Sequence, residues 1–296
     1  MPREKKSNLI QEPILKGIAM KRRSSTTGLS LAIRNTMTSF SSGATFIEKK
    51  TPAEFIIKIA NTLEERESVF QLAYQVYLEK GYIKDNPTRR LVQTYDANPE
   101  TVILIVQDQN RNIAGSLTLV FSGSAKLPAE KIYGDEIASL KNKGERLVEI
   151  SRLIIDDRYR SSKEVLLLLM NYLAIYSYHE KKYSSLIVQV NPRHKNYYKA
   201  LLNFDEIGTE KACPSVQNAP AVLLYLPLSR YQSEVIRYAN MSDQSKKERS
   251  LYPHFVKPEQ EKLVAHYLSN QVKPISSEEK NYFGFTESGI GQVACV

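Results

Sequence analysis

Apolar and polar positions first fall into a regular pattern near Phe55. Residues 55–60 (FIIKIA) predict a strand, and over 63–80 the apolar positions Leu63, Phe70, Ala73, Tyr74, Tyr77 and Leu78 recur at helical spacing. A polar stretch with Pro87 and two arginines follows. Residues 101–107 (TVILIVQ) and 113–121 (IAGSLTLVF) are β-branched runs joined by the turn-forming Asp108 to Asn112, which predicts a hairpin. After a short helix over 134–142, residues 146–155 (RLVEISRLII) form a strongly apolar strand. The next segment, Ser162 to Lys181, is apolar nearly all round in its first half and predicts a helix buried on more than one side. A strand at 185–190, a helix at 194–202 opened by Asn191-Pro192, strands at 205–210 and 221–226 and a helix at 229–240 complete the body. Residues 241–296 read as a polar extension with one helix over 258–269.

A hairpin followed by β-α-β crossovers implies an α/β fold with a mixed sheet covered by helices. A doubly wound dinucleotide domain is excluded, because no G-x-G-x-x-G follows a strand, and there is no G-x-x-x-x-G-K-[ST] phosphate loop. No apolar run reaches the ~18 residues of a membrane span.

Charge divides the chain. The formal net charge is +9, yet residues 1–50 alone hold ten Lys/Arg against three Glu, leaving about +2 for the rest. Residues 1–52 therefore read as a basic, Ser/Thr-rich, disordered tail. Such a tail could touch a membrane surface or an acidic partner, but the body gives no reason to expect nucleic acid. The folded body would span 53–240 and the extension 241–296. Two cysteines, Cys213 and Cys295, and four scattered histidines make neither a disulfide framework nor a metal site. They point to a reducing, cytoplasmic setting.

The chemistry concentrates in Val148 to Lys163 (VEISRLIIDDRYRSSK). Glu149 and Arg152 interrupt a buried strand, and buried charges need partners or a task. Three residues apart, they face opposite sides of a regular strand. To serve one site they require a bulge between them, and the alternative is that each pairs separately at a sheet edge. Arg158, Arg160, Ser161, Ser162 and Lys163 lead into the long helix, whose N-terminus suits an anion. An ordinary N-cap with surface charges explains them as well. In Val190 to Phe204, Tyr197 or Tyr198 could protonate a departing thiolate, or simply fill the core.

Five segments in order, QLAYQVYLEKGYI (71–83), TYD (94–96), VEISRLII (148–155), VNPRHKNYYKALLNF (190–204) and NAPAVLLYLPL (218–228), resemble the long-chain N-acyl amino acid synthases. That family lies in the GNAT superfamily, close to the acyl-homoserine-lactone (autoinducer) synthases. The resemblance covers about 55–228. It implies a GNAT fold, with a mixed and mostly antiparallel central sheet flanked by helices. The implied co-substrate is an acyl-phosphopantetheine on an acyl carrier protein, with acyl-CoA as the alternative, and the acceptor is a small amine such as an amino acid. Glu149 and Arg152 match the family's E-x-x-R pair, as amine base and as acceptor or geometry support. Asp96 matches an acidic position near the acceptor. Asn191, His194 and Tyr198 fall where the pantetheine arm passes. Two departures stand out. Ala73 occupies a position that is usually arginine, and Arg158 to Lys163 replaces a glycine-rich phosphate loop, which favours a carrier protein over CoA. The rival readings are a CoA-dependent GNAT acetyltransferase and a non-catalytic GNAT-like binding module.

Overall fold

The computed structural model describes residues 55–123, 126–241, 249–286 and 289–290. The tail expected over 1–52 lies outside the described residues, as does Cys295. The seven-stranded sheet consists of β1 (Ile56–Ile59), β2 (Val102–Gln107), β3 (Ile113–Phe121), β4 (Leu147–Ile155), β5 (Ser185–Val190), β6 (Asp205–Cys213) and β7 (Ala219–Pro227), in the spatial order β1-β2-β3-β4-β5-β7-β6. Only β4 and β5 run parallel, and every other neighbouring pair is antiparallel. The β2–β3 turn closes as its sequence suggests, with Asp108 Oδ1 accepting from the backbone N–H of Asn110 at 2.9 Å and of Asn112 at 2.8 Å. This is the mixed, mostly antiparallel sheet of a GNAT-like fold.

Seven α-helices accompany it among the described residues: α1 (Leu63–Glu79), α2 (Gly134–Asn142), α3 (Lys163–Ile175), α4 (Lys195–Leu202), α5 (Leu228–Ala239), α6 (Pro258–Ser269) and α7 (Ser277–Tyr282). One sheet face meets α3, α4, α5 and α6 in the main core, and the other carries α1 and α2 over smaller apolar clusters. The all-round apolar character of α3 has its reason here, since every residue from Val165 to Ile175 is buried between the sheet and α6. Its approach to β3 depends on Gly115, where a Cβ would come within 2.6 Å of Val165 Cγ1. The α-helix ends sooner than its pattern predicts, passing into a π-helical turn at Tyr176–Glu180.

The segment after α5 is more than a polar appendage. Leu251, Tyr252, Phe255, Val256, Val264, Ala265 and Leu268 all enter the main core. Buried Glu261 of α6 accepts from Gln232 Nε2 at 2.8 Å and pairs with His179 Nε2 at 2.8 Å. The chain then crosses to the opposite face. There α7, whose sequence gives no helical period, is fixed by a Ser276 capping box and by an ion pair between Glu279 and Arg66 of α1. Phe283 stacks edge-on against Phe70 at 4.9 Å. Because Leu268 is fully buried, Leu268→Ala should cost about 2–5 kcal/mol in urea unfolding. A loss under about 0.5 kcal/mol, the size of a surface substitution, would mean that this segment is not part of the cooperative unit.

Candidate active site

β4 organises the site. Val148, Ile150 and Ile155 point into the main core, whereas Leu147 and Ile154 join the clusters on the other face. Strict alternation would send Arg152 into the main core. Instead, two steps along β3 (Thr118 to Ser116) are matched by three along β4 (Ser151 to Ile154), and Arg152 adopts a φ of 46°. This is a β-bulge with one extra residue. It returns Arg152 to the face that carries Glu149, so the bulge required by the three-residue spacing is present.

A left-handed backbone at a non-glycine residue costs of order 1–3 kcal/mol and must be held by its surroundings. The Arg152 side chain supplies the hold. Its Nη1 donates to the Leu91 carbonyl at 3.0 Å and to Asp96 Oδ2 at 2.8 Å, and its Nη2 donates to Thr118 Oγ1 at 2.8 Å and to Asp96 Oδ1. The rings of Phe70 and Tyr95 each lie 5.2 Å from the guanidinium. Burial opposes the Arg152 charge, but the Asp96 carboxylate outweighs it and raises the guanidinium pKa. Asp96 sits in the turn Thr94–Ala97 and also accepts from the Gln93 N–H at 2.7 Å. Asp96 and Arg152 therefore spend their charges on each other, with only Arg152 Nε left unpartnered among the described residues.

Among the described residues Glu149 has no such cation. It is 1% exposed and accepts from neutral donors, the Ala129 N–H and Gln189 Nε2, each at 2.8 Å. Burial pushes its carboxyl up to about 7, against the lowering effect of those two hydrogen bonds. Pairing between β4 and β5 ends at Ile150↔Val188. Beyond that point a cleft of about 170 Å³ opens, walled by Val76, Tyr77, Leu166, Val188 and Val190 and carrying Glu149, Arg152, Asn191, His194 and Tyr198 on its lining.

The structure thus brings Glu149, Arg152, Asn191, His194 and Tyr198 together and holds Asp96 behind Arg152. The side chain of Asn191 caps its own turn, its Oδ1 accepting from the Arg193 backbone N–H at 3.2 Å and from Arg193 Nε at 2.9 Å. Tyr198 packs edge-on to Phe204, and burial raises its phenol pKa. The expected phosphate group does not line the cleft. Arg158 turns back to Asp156 at 3.0 Å, Arg160 pairs with Asp157, and exposed Ser161 and half-buried Ser162 lead into α3 at Lys163, with Ser162 as its N-cap residue. Sequence reasoning missed Lys80, a cleft residue whose ammonium pKa is lowered by burial, by Arg160 and by Arg193. His194 is likewise pushed down to about 4 by burial, Arg193 and Lys80, which keeps it neutral. Ser151 and Gln189 were missed as well. Only Gln189 left a sequence signal, as the polar break inside the apolar run 186–190. Among the described residues, no three His, Cys, Asp or Glu side chains are placed to hold a metal ion.

A mixed sheet whose one parallel pair parts beside a buried carboxylate places the chain in the GNAT-like class. Residues 68–227 match the family profile of the N-acyl amino acid synthase FeeM. The chain belongs to this family of N-acyl amino acid synthases, which are N-acyltransferases. The solved structure of FeeM, an N-acyl amino acid synthase from uncultured soil microbes, is 24% identical, with 62% of this chain and 95% of that chain covered at a TM-score of 0.54. The acyl-homoserine-lactone synthase LasI is 18% identical, covering 60% and 91% at 0.48. The CoA-dependent acyl-homoserine lactone synthase BjaI is 16% identical, covering 61% and 87% at 0.47. No curated protein sequence matches the chain.

Removing one partner of a buried ion pair strands the other charge. Asp96→Asn should therefore destabilise the protein by about 3–5 kcal/mol in denaturant unfolding. A change under about 1 kcal/mol would show that Arg152 does not depend on Asp96.

Proposed function

We propose that residues 53–240 act as an acyltransferase domain that moves a medium or long fatty acyl chain from an acyl carrier protein thioester to the amine of an amino acid or related small amine. The observation that carries this reading is Glu149, a buried carboxyl with a pKa of about 7 at the point where β4 and β5 part. Such a group can take a proton at neutral pH. The neutral amine nitrogen attacks the thioester carbonyl carbon, a C–N bond forms, and Glu149 receives one amine proton. The C–S bond then breaks. The leaving thiolate takes a proton from Tyr198, which regains one from Glu149, so the net transfer is from nitrogen to sulfur. Arg152 supports the geometry through Asp96 and offers its remaining Nε to the acceptor. Most of the acceleration comes from positioning, because amine attack on a thioester is intrinsically easy.

The apolar walls Val76, Ile150, Ile155, Leu166, Val188 and Val190 suit the start of an acyl chain. Lys80, with Arg160 and Arg193 close enough to lower its pKa, makes the mouth basic. Asn191 and His194 stand where a pantetheine arm would pass, and Arg158, Ser161, Ser162 and Lys163 extend the approach to its phosphate. One phosphate is easier to accommodate here than a pyrophosphate, because this loop has no glycine to let the backbone close around it. That favours the carrier protein, and acyl-CoA is the alternative. No helix among the described residues is long and apolar enough to cross a membrane.

The test is a mass-spectrometric product screen with C8 to C16 acyl carrier protein, the matching acyl-CoA and a pool of amino acids. An N-acyl amino acid formed from the carrier-bound chain and lost in Glu149→Ala is the expected result. Product from CoA alone would reassign the donor, and no product from folded protein would point to a binding module. Because the base acts only when ionised, kcat/KM expressed per concentration of the neutral, free-base acceptor should rise with pH through about 7 and level off above it. A flat profile from pH 5.5 to 8.5, measured by initial rates, would remove Glu149 from that role.

A further inference from the structure

Gln189 has a half-used side chain. It lies one residue beyond Val188, the last residue of β5 paired to β4, and lines the cleft. Its Nε2 donates to Glu149 Oε1 at 2.8 Å, and against the ionised carboxylate that acts as base this fixes the amide orientation, since the flipped amide would set two oxygens against each other. Its Oε1 is then buried with no hydrogen-bond partner among the described residues. A buried acceptor left unmade is costly, and in a site it marks where a donor belongs. The hydrogen bond that orients the base thus leaves a vacant acceptor beside it.

A neutral primary amine carries two N–H bonds and one lone pair. Glu149 can take one hydrogen, because each carboxylate oxygen keeps a lone pair beyond its present bond. We propose that Gln189 Oε1 accepts the other N–H of the amine, so that Glu149 and Gln189 together aim the nitrogen lone pair at the thioester carbonyl and select primary over secondary amines. The inference rests on the acyl-transfer reading above. A secondary amine has one N–H, and once that hydrogen goes to Glu149 the Gln189 oxygen stays unpaired. The proton accepted by Gln189 is not transferred. It remains on nitrogen as the amide N–H of the product, so the atom balance of the reaction is unchanged.

The experiment compares an amino acid with its N-methyl counterpart as acceptor, using acyl carrier protein loaded with the best chain, in wild type, Gln189→Met and Gln189→Glu. Circular dichroism and thermal melts confirm folding. Wild type should prefer the primary amine by at least about tenfold in kcat/KM, the scale set by one unpaired buried polar group. Gln189→Met, apolar and of similar length, should lose about tenfold or more on the primary amine and little on the N-methyl one, collapsing the preference. It should also move the rising limb of the pH profile to higher pH, because Glu149 loses a hydrogen bond that favours its ionised form. Gln189→Glu, which sets a second carboxylate beside Glu149, should move that limb further. A Gln189→Met enzyme with unchanged amine preference and an unchanged limb overturns the assignment while leaving acyl transfer intact. Failure of folded wild type to acylate any amine from either donor overturns the acyl-transfer reading itself, and the assignment with it.

Discussion

The site depends on one irregularity in β4, the extra residue that turns Arg152 onto the face of Glu149. A bulge in a largely buried central strand is unfavourable unless something compensates for the interrupted ladder and the left-handed backbone. The compensation is the Asp96 carboxylate, brought from the turn Thr94–Ala97 to meet the guanidinium in two hydrogen bonds, with Leu91 and Thr118 completing the set. The same distortion ends the pairing of β4 with β5 and opens the cleft. Strand geometry, ion pair and cavity are thus aspects of a single local arrangement.

The two charged residues of β4 meet opposite electrostatic fates. Arg152 is neutralised by a full counter-charge, which holds it protonated and structurally committed. Among the described residues Glu149 meets an amide N–H from Ala129 and one from Gln189, enough to orient it but not enough to offset its burial. Its pKa therefore rests near neutrality. A stronger partner would have locked the carboxylate in its ionised form, whereas an apolar surround would have kept it protonated. The intermediate environment makes it usable for proton transfer, and it lies next to the cleft rather than behind it.

The described part of the C-terminal segment lies beyond the family match at 68–227 and still belongs to the same packed unit. It covers the outer side of α3, crosses the sheet edge and sets Phe283 against Phe70. Phe70 in turn covers the Arg152 guanidinium. The later chain thereby braces α1, the helix that contributes Val76, Tyr77 and Lys80 to the cleft. This bracing reaches the site through packing and through the Glu279–Arg66 ion pair, with no described residue of the segment on the cleft lining.

The sequence by itself determined the elements and the identity of the central strand. Periods of two and of about 3.6, interrupted by Gly, Pro and Asn, predict all seven sheet strands and the helices α1 to α6, because these signals come from burial of one face and from local backbone preference. The pair Glu149 and Arg152 was also legible, since charges inside an apolar run demand a reason, and their odd spacing announced the bulge. What only the tertiary structure decided was how the charges are distributed. Asp96 lies 56 residues from Arg152 in sequence, and no local pattern says that the two would consume each other and leave Glu149 with neutral donors. Arg158 and Arg160 lie off the cleft lining, each paired with a neighbouring aspartate, while Lys80 reaches the cleft from the end of α1, and no local pattern set these placements. The half-satisfied amide of Gln189 was equally hidden. A residue's type and position follow from the chain, but whether a hydrogen-bonding group is spent or left open depends on what folding places beside it.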